Sequence, residues 1–380
     1  MLRRLLDFFT SLKLTIVCFS LAMLLVFFGT IDQVTLGIYG VQKKYFDSFF
    51  VFWTIPGTIR QIPVLPGGYL LGGITLLNLI AAQVVRFKFS WKKSGIYFLH
   101  LGVILLLLGQ LFTSLFAKEG QMRIDEGQTK SHSESFTEKE LVLIDTSDPK
   151  ADRVISIPEA LLTTPEPITH PSLPFRIEVA QYFRNSIAIE KSQVSSPNIP
   201  RLELGPAAVL VPIALATTVE QPNAPSAQVH VTSPDGRKET FILSERLRSA
   251  KTFVAAGKTW QIDLRARRYY KPFSITLRDF THKIYPGTDI PKEFASSVEI
   301  NNPRTGEKRD VRISMNQPLR YEGSTFYQLA FDNDDTTSIL QVVKNPSWLL
   351  PYIACALVSL GLLVQFSIHL VNFSRKRRTT

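Results

Sequence analysis

The sequence contains little cysteine, and what there is lies in apolar surroundings. Of 380 residues only two are cysteines, Cys18 and Cys355, and both fall within long apolar segments. The polar stretch 117–347 has no thiol. It therefore cannot form a disulfide, a CxxC redox pair or a thiolate metal site, even in a compartment that permits disulfides.

Charged residues are absent from four segments that are long enough to cross a membrane. A helix rises about 1.5 Å per residue, so roughly 20 apolar residues span the hydrocarbon layer. A buried helix of a soluble protein would normally keep one polar face, and these segments have none. The four segments are Leu14–Ile31, Tyr69–Val85, Gly95–Phe116 and Trp348–Val371. We interpret them as transmembrane helices, the first as a retained span because it is long and lacks a small-residue cleavage site.

The net charge of +11 is confined to short segments and does not indicate nucleic-acid binding. Residues 117–347 balance, with 29 basic and 29 acidic side chains. Residues 1–13 carry +2, residues 86–93 carry +4 and the C-terminal tail carries +4, while the loop 32–68 adds +1. Basic segments stay in the cytoplasm. We therefore expect a multi-pass protein of the bacterial plasma (inner) membrane with both termini and the 86–94 loop cytoplasmic, and with 117–347 on the periplasmic or extracytoplasmic side.

Alternating side chains predict that the exported part is a single all-β, sandwich-like domain, residues 117–346. The pattern has a period of two at 260–267, 273–277 and 311–315. Residues 251–264 predict a hairpin turning at Ala256-Gly257, and Ser297–Ser314 predicts another. We expect the hairpin ending at Ser314 and the strand Gly323–Phe331 to be central. The proline-rich stretch 157–225 predicts long loops with one buried strand, Ala207–Ala216.

The predicted domain order is thus three spans in 1–116, the β-rich domain, a fourth span in 347–371 and a basic cytoplasmic tail, 372–380. Loop 32–68 contains an aromatic run, Tyr45–Trp53, which is too short to span. We interpret it as an interfacial helix at headgroup depth, where aromatic rings prefer to lie. The alternative is that it forms a wall of a ligand site at the outer membrane surface.

Two histidines lie within predicted spans, where an ionisable side chain indicates function. His100 follows Lys93 by seven residues and His369 precedes Arg375 by six, so we expect the two rings at similar depth in the inner half of the bilayer. Neutral imidazole is a good ligand for haem iron, and Gly102 would let a flat ligand approach the helix. The structural alternatives are an interhelical hydrogen bond for His100, an interface-snorkelling ring for His369 and simple helix packing for Gly102.

Motifs of soluble enzymes are missing. There is no phosphate-binding glycine loop, no Gly-x-Ser-x-Gly elbow and no His-Glu-x-x-His. The four histidines of the β-rich domain are scattered, and we expect them to be surface residues. They are His132, His170, His230 and His282.

Several short stretches, taken in order, resemble ResB, the membrane subunit of the System II machinery for cytochrome c maturation. The resemblance covers nearly the whole chain: three spans, a large exported domain and a closing span. It is carried by Phe98–Gly102, Ile124–Gly127, Arg268–Phe273, Asp279-Phe280, Tyr285–Thr288, Pro291–Ser296, Met315–Tyr321 and Phe326–Gln328. Gln317 departs from the family pattern, which often has histidine there.

This resemblance implies a function in haem delivery. ResB-like proteins work with a CcsA/ResC-type membrane protein, which carries a tryptophan-rich haem-handling segment. Together they pass haem b, a transient substrate, from the cytoplasmic side outward and attach it to the CxxCH of apocytochrome c. The family's haem-ligating histidine in the span before the exported domain corresponds to His100, with His369 as a possible second ligand.

The same resemblance implies that this chain is a non-catalytic or co-catalytic subunit of a cytochrome c synthase and that it contacts membrane lipid. Its four tryptophans are dispersed, so the tryptophan-rich segment must belong to a separate partner. Because the exported domain has no thiol, reduction of the apocytochrome falls to a thioredoxin-like protein.

Two other functions fit the sequence. A membrane-anchored scaffold without haem would recruit periplasmic proteins through the β-rich domain, and the purified protein would then lack a Soret band. A transporter would need charged or broken helices near the midplane, whereas the only irregularity is Pro351, in the first turn of the last span.

Overall fold

The computed structural model divides the chain into two compact units. One comprises Met1–Lys118 with Lys344–Thr380, and the other comprises Glu119–Val343. The residues described are 2–55, 58, 60–86, 90–149, 151–194, 196, 198–216, 223–247, 250–288, 291–332 and 335–378. Parts of four predicted segments lie outside this set: residues 56, 57 and 59 of loop 32–68, residues 87–89 of the basic loop, residues 195, 197 and 217–222 of the proline-rich stretch, and residues 379–380 of the tail.

The first unit is helical. The α-helices of the described residues are α1 (Leu2–Phe9), α2 (Leu12–Val41), α3 (Gly68–Arg86), α4 (Ser94–Phe116), α5 (Glu159–Leu162) and α6 (Leu350–Arg378), and α5 belongs to the second unit. Within the described residues, four helices are long and apolar enough to cross a membrane, namely α2, α3, α4 and α6. They coincide with the four predicted spans, so the apolar-segment prediction is confirmed.

Helix α2 continues beyond the predicted span. It ends at Val41, and at Gly37 the backbone leaves the helical region with φ of 66°. That left-handed conformation favours glycine because a Cβ atom would be strained there. One π-helical turn, Gln42–Phe46, follows directly.

The aromatic run Tyr45–Trp53 is not a single interfacial helix: Tyr45 and Phe46 end the π-helical turn, and Phe50–Trp53 lie in one strand of a hairpin. Strand β1 (Phe50–Thr54) pairs antiparallel with β2 (Gln61–Pro66). β-Branched and aromatic residues suit a pleated surface, so the composition that suggested an interfacial segment also suits strands. The helix prediction for this run is wrong.

The second unit is built almost entirely of strands. They are β3 (Lys118–Asp125), β4 (Thr129–Asp145), β5 (Arg153–Pro158), β6 (Arg176–Phe183), β7 (Ser186–Glu190), β8 (Leu202–Glu203), β9 (Ala208–Pro212), β10 (Ser226–Thr232), β11 (Lys238–Ser244), β12 (Lys251–Ala255), β13 (Lys258–Ile284), β14 (Pro291–Asn302), β15 (Glu307–Ser314), β16 (Leu319–Tyr321), β17 (Ser324–Asp332) and β18 (Thr337–Lys344).

Among the described strands, ten form one sheet with the order β15-β14-β13-β4-β3-β18-β17-β16, with β12 and β5 pairing at β13 and β4. Two three-stranded sheets, β11-β10-β6 and β7-β9-β8, complete the unit. The 27-residue strand β13 passes through two hydrophobic cores: its Trp260 end packs in one, and its Phe273–Leu277 segment packs in the other. The prediction of a large all-β domain is confirmed.

Both predicted hairpins are confirmed. Ala255 pairs with Lys258 across Ala256-Gly257, and both turn residues have positive φ, 51° and 73°. Ser297 pairs with Arg312 in the second hairpin. Trp260, Ile262 and Leu264 are all buried, as their alternation predicts.

Two expectations about the strands are wrong. Strand β15 lies at the edge of the ten-stranded sheet and is not central, and Met315 just after it is 48% exposed. The stretch 157–225 contains four strands, β6, β7, β8 and β9, where one was expected; the expected strand Ala207–Ala216 is present as β9, with its centre buried. Charged and polar residues interrupt the alternation there, so the strands were not visible as a pattern.

Candidate functional site

Helices α4 and α6 lie in close contact along a seam of glycines. Gly95, Gly102 and Gly109 of α4 are spaced by seven residues, and each is buried. A Cβ atom at Gly95 would lie 2.6 Å from the carbonyl oxygen of Gly361, and one at Gly361 would lie 2.7 Å from the carbonyl oxygen of Gly95. Small residues that let two backbones approach are the usual means by which helices associate in a membrane.

Gly102 belongs to this seam. Its Cβ would lie 2.5 Å from Cγ2 of Val358 and 2.9 Å from the carbonyl oxygen of Ala354. The structure therefore gives Gly102 a packing role against α6. Its expected role beside a flat ligand stays a prediction.

His100 is half-buried on α4, two residues before Gly102. Its Nδ1 lies 2.9 Å from the backbone carbonyl oxygen of Ile96. A carbonyl oxygen can only accept, so Nδ1–H is the donor, and in the neutral ring the lone pair is then on Nε2. In metal sites, a hydrogen bond from the ring nitrogen that does not bind the metal commonly orients the histidine.

His369 does not lie at the depth of His100, and the expectation of matching depth is wrong. Gly102 faces Ala354 and Val358, and Gly95 faces Gly361 and Gln365. This antiparallel register places His100 level with about residue 358 of α6. His369 is eleven residues further along that helix, about 16 Å at helical rise.

The error has a simple cause. The depth was judged from the basic residues that flank each span, but α6 continues to Arg378, well past the level at which α4 begins. One iron cannot bind both rings at such a separation, because its two axial ligands lie on opposite faces of the same atom. His369 is exposed instead, and its Nε2 accepts a hydrogen bond from Nε2 of Gln365 at 2.9 Å.

Each histidine of the β-rich domain has local contacts. His170 and His230 are engaged near the surface by Ser172 and Thr240, and Nδ1 of His282 lies 3.0 Å from the Asp335 carboxylate. Within the described residues, no group of three or more His, Cys, Asp or Glu side chains could hold a metal ion.

The motif Arg268–Phe273 lies where β13 passes from one core to the other. Nε of Arg268 donates to Oε1 of Glu134 on β4 at 3.1 Å. The neighbouring His132 ring and the Arg268 guanidinium lower the pKa of the Glu134 carboxyl to about 2. Glu134 is therefore a carboxylate at any physiological pH, and it ties β4 to β13.

The motif Ile124–Gly127 contacts a second motif, Asp279-Phe280. Oε1 of Glu126 accepts from the backbone N–H of Phe280 at 2.7 Å, next to a bulge in β13, and Oδ1 of Asp125 accepts from Thr337 at 2.6 Å. These motif residues hold β3, β13 and β18 in register. No sequence pattern indicated that the two motifs meet.

Gln328, Ser296 and Ser338 form a third cluster, inside the unit. Ser296 and Ser338 are fully buried and Gln328 is 8% exposed. The Ser296 hydroxyl donates to Oε1 of Gln328 at 2.6 Å, and Nε2 of Gln328 donates to Oγ of Ser338 at 3.1 Å. A fully satisfied buried polar network of this kind specifies the packing of a core.

Comparison with known proteins identifies the family of these motifs. Residues 81–149 and 236–339 match the ResB-like family. Protein NrfI of Wolinella succinogenes is 26% identical to this chain over 295 residues, which cover 77% of the chain and 29% of NrfI. The chain thus spans less than a third of the length of that relative. His100 and Gly102 lie within the matched residues and His369 lies outside them.

Proposed function

We propose that this multi-pass membrane protein, whose residues 81–149 and 236–339 match the ResB-like family, is a haem-handling subunit of the cytochrome c haem-lyase complex. The proposal is carried by His100, which lies within the family match on an apolar helix and has its Nδ1 fixed by a backbone carbonyl. A polar ring in such a helix is costly unless it serves a purpose. Haem is the substrate that passes through the complex.

In this proposal His100 binds haem iron on the face of α4 that points away from α6. Leu99 and Gly102 lie against α6. Successive helical residues differ by about 100° around the axis, which turns His100 away from that seam. Its Nε2 lone pair is the donor that a haem iron needs.

The second iron ligand comes from another chain in this proposal. Val358 is at about the level of His100 on α6, and its side chain offers no metal-binding atom. His369 lies about three turns further along the same helix. A CcsA/ResC-type partner supplies the opposing histidine and the tryptophan-rich surface for haem. This chain supplies one ligand and is co-catalytic at most.

The orientation follows from the charged segments. The basic ends and the 86–94 loop lie in the cytoplasm, and the β-rich domain lies on the opposite side, where apocytochrome c receives its haem. A separate thioredoxin-like protein reduces the CxxCH cysteines, because residues 119–343 contain no cysteine.

The test is the haem content of the complex of this chain with its tryptophan-rich partner. His100→Ala should leave the protein inserted, since alanine is a good helix former and removes a polar group from lipid. Haem that co-purifies, measured as the pyridine haemochrome, should fall severalfold, and added imidazole should restore part of it. His369→Ala is the matched control and should retain wild-type haem.

Wild-type haem content and cytochrome c assembly in the His100→Ala complex would contradict the ligand assignment. A wild-type complex that never shows a Soret band would instead favour the scaffold function.

A further inference from the structure

A cavity of about 720 Å³ lies between α2, α3 and α4, at the end of the helical unit that carries the β1–β2 hairpin. Its apolar wall includes Phe46, Phe49, Leu76, Leu107 and Leu111. Sites for small molecules usually enclose roughly 300–1,000 Å³. Phe46 and Phe49 belong to the aromatic run for which a ligand-site wall was the alternative interpretation.

Two glycines of α3 keep this cavity open. A Cβ atom at Gly72 or Gly73 would meet nothing within 4 Å, although both residues line the cavity. The glycines of α4 differ, because a Cβ at Gly95 or Gly102 would collide with α6. Helix contact explains the seam on α4, but it does not explain this pair.

Three carboxamides line the same space, those of Gln33, Gln42 and Gln110. In the part of the chain that the structure describes, none of these side-chain amides makes a hydrogen bond to another residue, and all three residues are exposed in the isolated chain. Gln110 lies in the apolar helix α4. An amide left without a partner in hydrocarbon costs several kcal/mol by general estimates, so a ligand that accepts its N–H would be held firmly.

The hydroxyl groups at the cavity are already connected to a neutral ion pair. The hydroxyl oxygens of Tyr69 and Ser114 lie 2.6 Å apart, and the Ser114 hydroxyl donates to Oδ1 of Asp47 at 3.3 Å. Asp47 in turn pairs with Lys43 at 2.9 Å. The lining residues themselves include no charged side chain.

We propose that this cavity binds a neutral, largely apolar molecule from the membrane whose carbonyl oxygens accept hydrogen bonds from the glutamine carboxamides. An anionic head group would require an uncompensated cation, and the nearest lysines are paired: Lys43 with Asp47, and Lys44 with Asp32. Carbonyl oxygens on an apolar body occur in the head group of an isoprenoid quinone and in the ester region of diacylglycerol.

The glutamine carboxamides argue against a helix of another protein as the occupant. The backbone carbonyl oxygens of a spanning helix accept hydrogen bonds within that helix, so they are not available to these amides. The inference does not depend on the haem assignment, because no histidine or cysteine lines the cavity.

The test uses the purified full-length chain in detergent with two uncharged photoreactive probes, a quinone analogue and a diacylglycerol analogue. Labelled peptides are mapped by mass spectrometry. We expect one of the probes to label residues that line the cavity, and the unlabelled compound to compete with it. Which probe does so identifies the source of the ligand.

Variants make the test specific. Gly72→Leu fills the cavity and Gln110→Leu removes an amide donor, and each should lower labelling about fivefold or more. Ala356→Leu, which enlarges an exposed small residue of α6, and Gln83→Leu, which removes a carboxamide of α3 outside the cavity, are the matched controls. Native mass spectrometry of the wild-type chain is a second measurement that requires no variant.

Three outcomes would overturn the proposal. Equal labelling of all variants, or labelling spread over the lipid-facing helices, would show that no built site exists. The absence of both labelling and a bound small molecule in the wild-type spectrum would show the same. Cross-linking of the cavity to another polypeptide, with loss of labelling when that polypeptide is present, would make it a helix-docking site instead.

Discussion

The backbone of Gly102 lies so close to Val358 that a Cβ atom at position 102 would be 2.5 Å from Cγ2 of the valine. Real Cβ atoms do not approach other atoms so closely, so α4 and α6 could not pack in this way with any other residue there. This one contact fixes the register of the two helices. The same packing leaves His100 on the face of α4 that points away from α6, which is the face that we propose for haem.

The first prediction is that Gly102→Ala destabilises the helical unit. The added methyl group must displace Val358 and the backbone of α6, and overpacking of this kind costs about 1–3 kcal/mol. Thermal unfolding of the purified chain in detergent, followed by size-exclusion chromatography, measures the loss. Gly73→Ala is the control: a Cβ there would meet nothing within 4 Å, so stability should hold or rise slightly through the better helix propensity of alanine.

The opposite result separates the two roles of Gly102. If Gly102→Ala kept wild-type stability but lowered the haem content of the complex, the glycine would serve the ligand and not the helix seam.

The sequence predicts much of the architecture because the signals are local. The absence of charge identified α2, α3, α4 and α6, and alternation identified the buried face of β13. The depth of His369 depends on how far α6 continues past the start of α4, which the flanking charges do not reveal. The sequence did not predict the cavity either, because only the packing of α2, α3 and α4 brings Gln33, Gly72 and Gln110 together.

The second prediction concerns orientation. In a chain with Cys18 and Cys355 replaced by alanine, single cysteines at Lys92 and Asp235 report the two sides of the membrane; both positions are exposed. A membrane-impermeant maleimide applied to intact cells, or to spheroplasts where an outer membrane is present, should label only Asp235→Cys. The basis is the +4 charge of residues 86–93, which opposes export.

After lysis both cysteines should react, which controls for their accessibility. Labelling of Lys92→Cys in intact cells would reverse the proposed topology, and with it the direction of haem movement.

The third prediction is that the motif residue Gln328 stabilises the core of the β-rich domain. Gln328→Leu leaves the hydroxyl groups of Ser296 and Ser338 without their amide partner, and an unsatisfied buried polar group costs about 1–3 kcal/mol. The melting temperature of the full-length protein should fall accordingly. Gln341→Leu, on the neighbouring strand β18 and half-buried, should have little effect.

A triple variant sharpens this test. The two hydroxyl oxygens lie 2.6 Å apart, so without Gln328 one hydroxyl can still donate to the other, and at most one O–H loses its acceptor. Replacing Ser296 and Ser338 by alanine in the Gln328→Leu background removes that group, so part of the lost stability should return. If the triple variant is less stable than Gln328→Leu alone, the network is not the cause.

The fourth prediction is a pH dependence carried by Asp145 at the end of β4. Its carboxylate accepts hydrogen bonds from Nζ of Lys258 at 2.6 Å and from the backbone N–H of Ser147 at 3.1 Å. Lys258 and Ser147 lower the pKa of Asp145 from 3.8 to about 2. A folded-state pKa below the unfolded one stabilises the fold only while the carboxyl is ionised.

The contribution of Asp145 is therefore complete above about pH 4 and disappears as the pH falls from there to about 2. Asp145→Asn should lower the melting temperature at pH 7, and its difference from the wild type should shrink through that window. Asp235→Asn, at an exposed turn, is the control and should follow the wild type at every pH. A difference between Asp145→Asn and wild type that stays constant down to pH 2 would mean that asparagine disturbs the pairing of β4 with β13 sterically, and that the Lys258 contact contributes nothing by its charge.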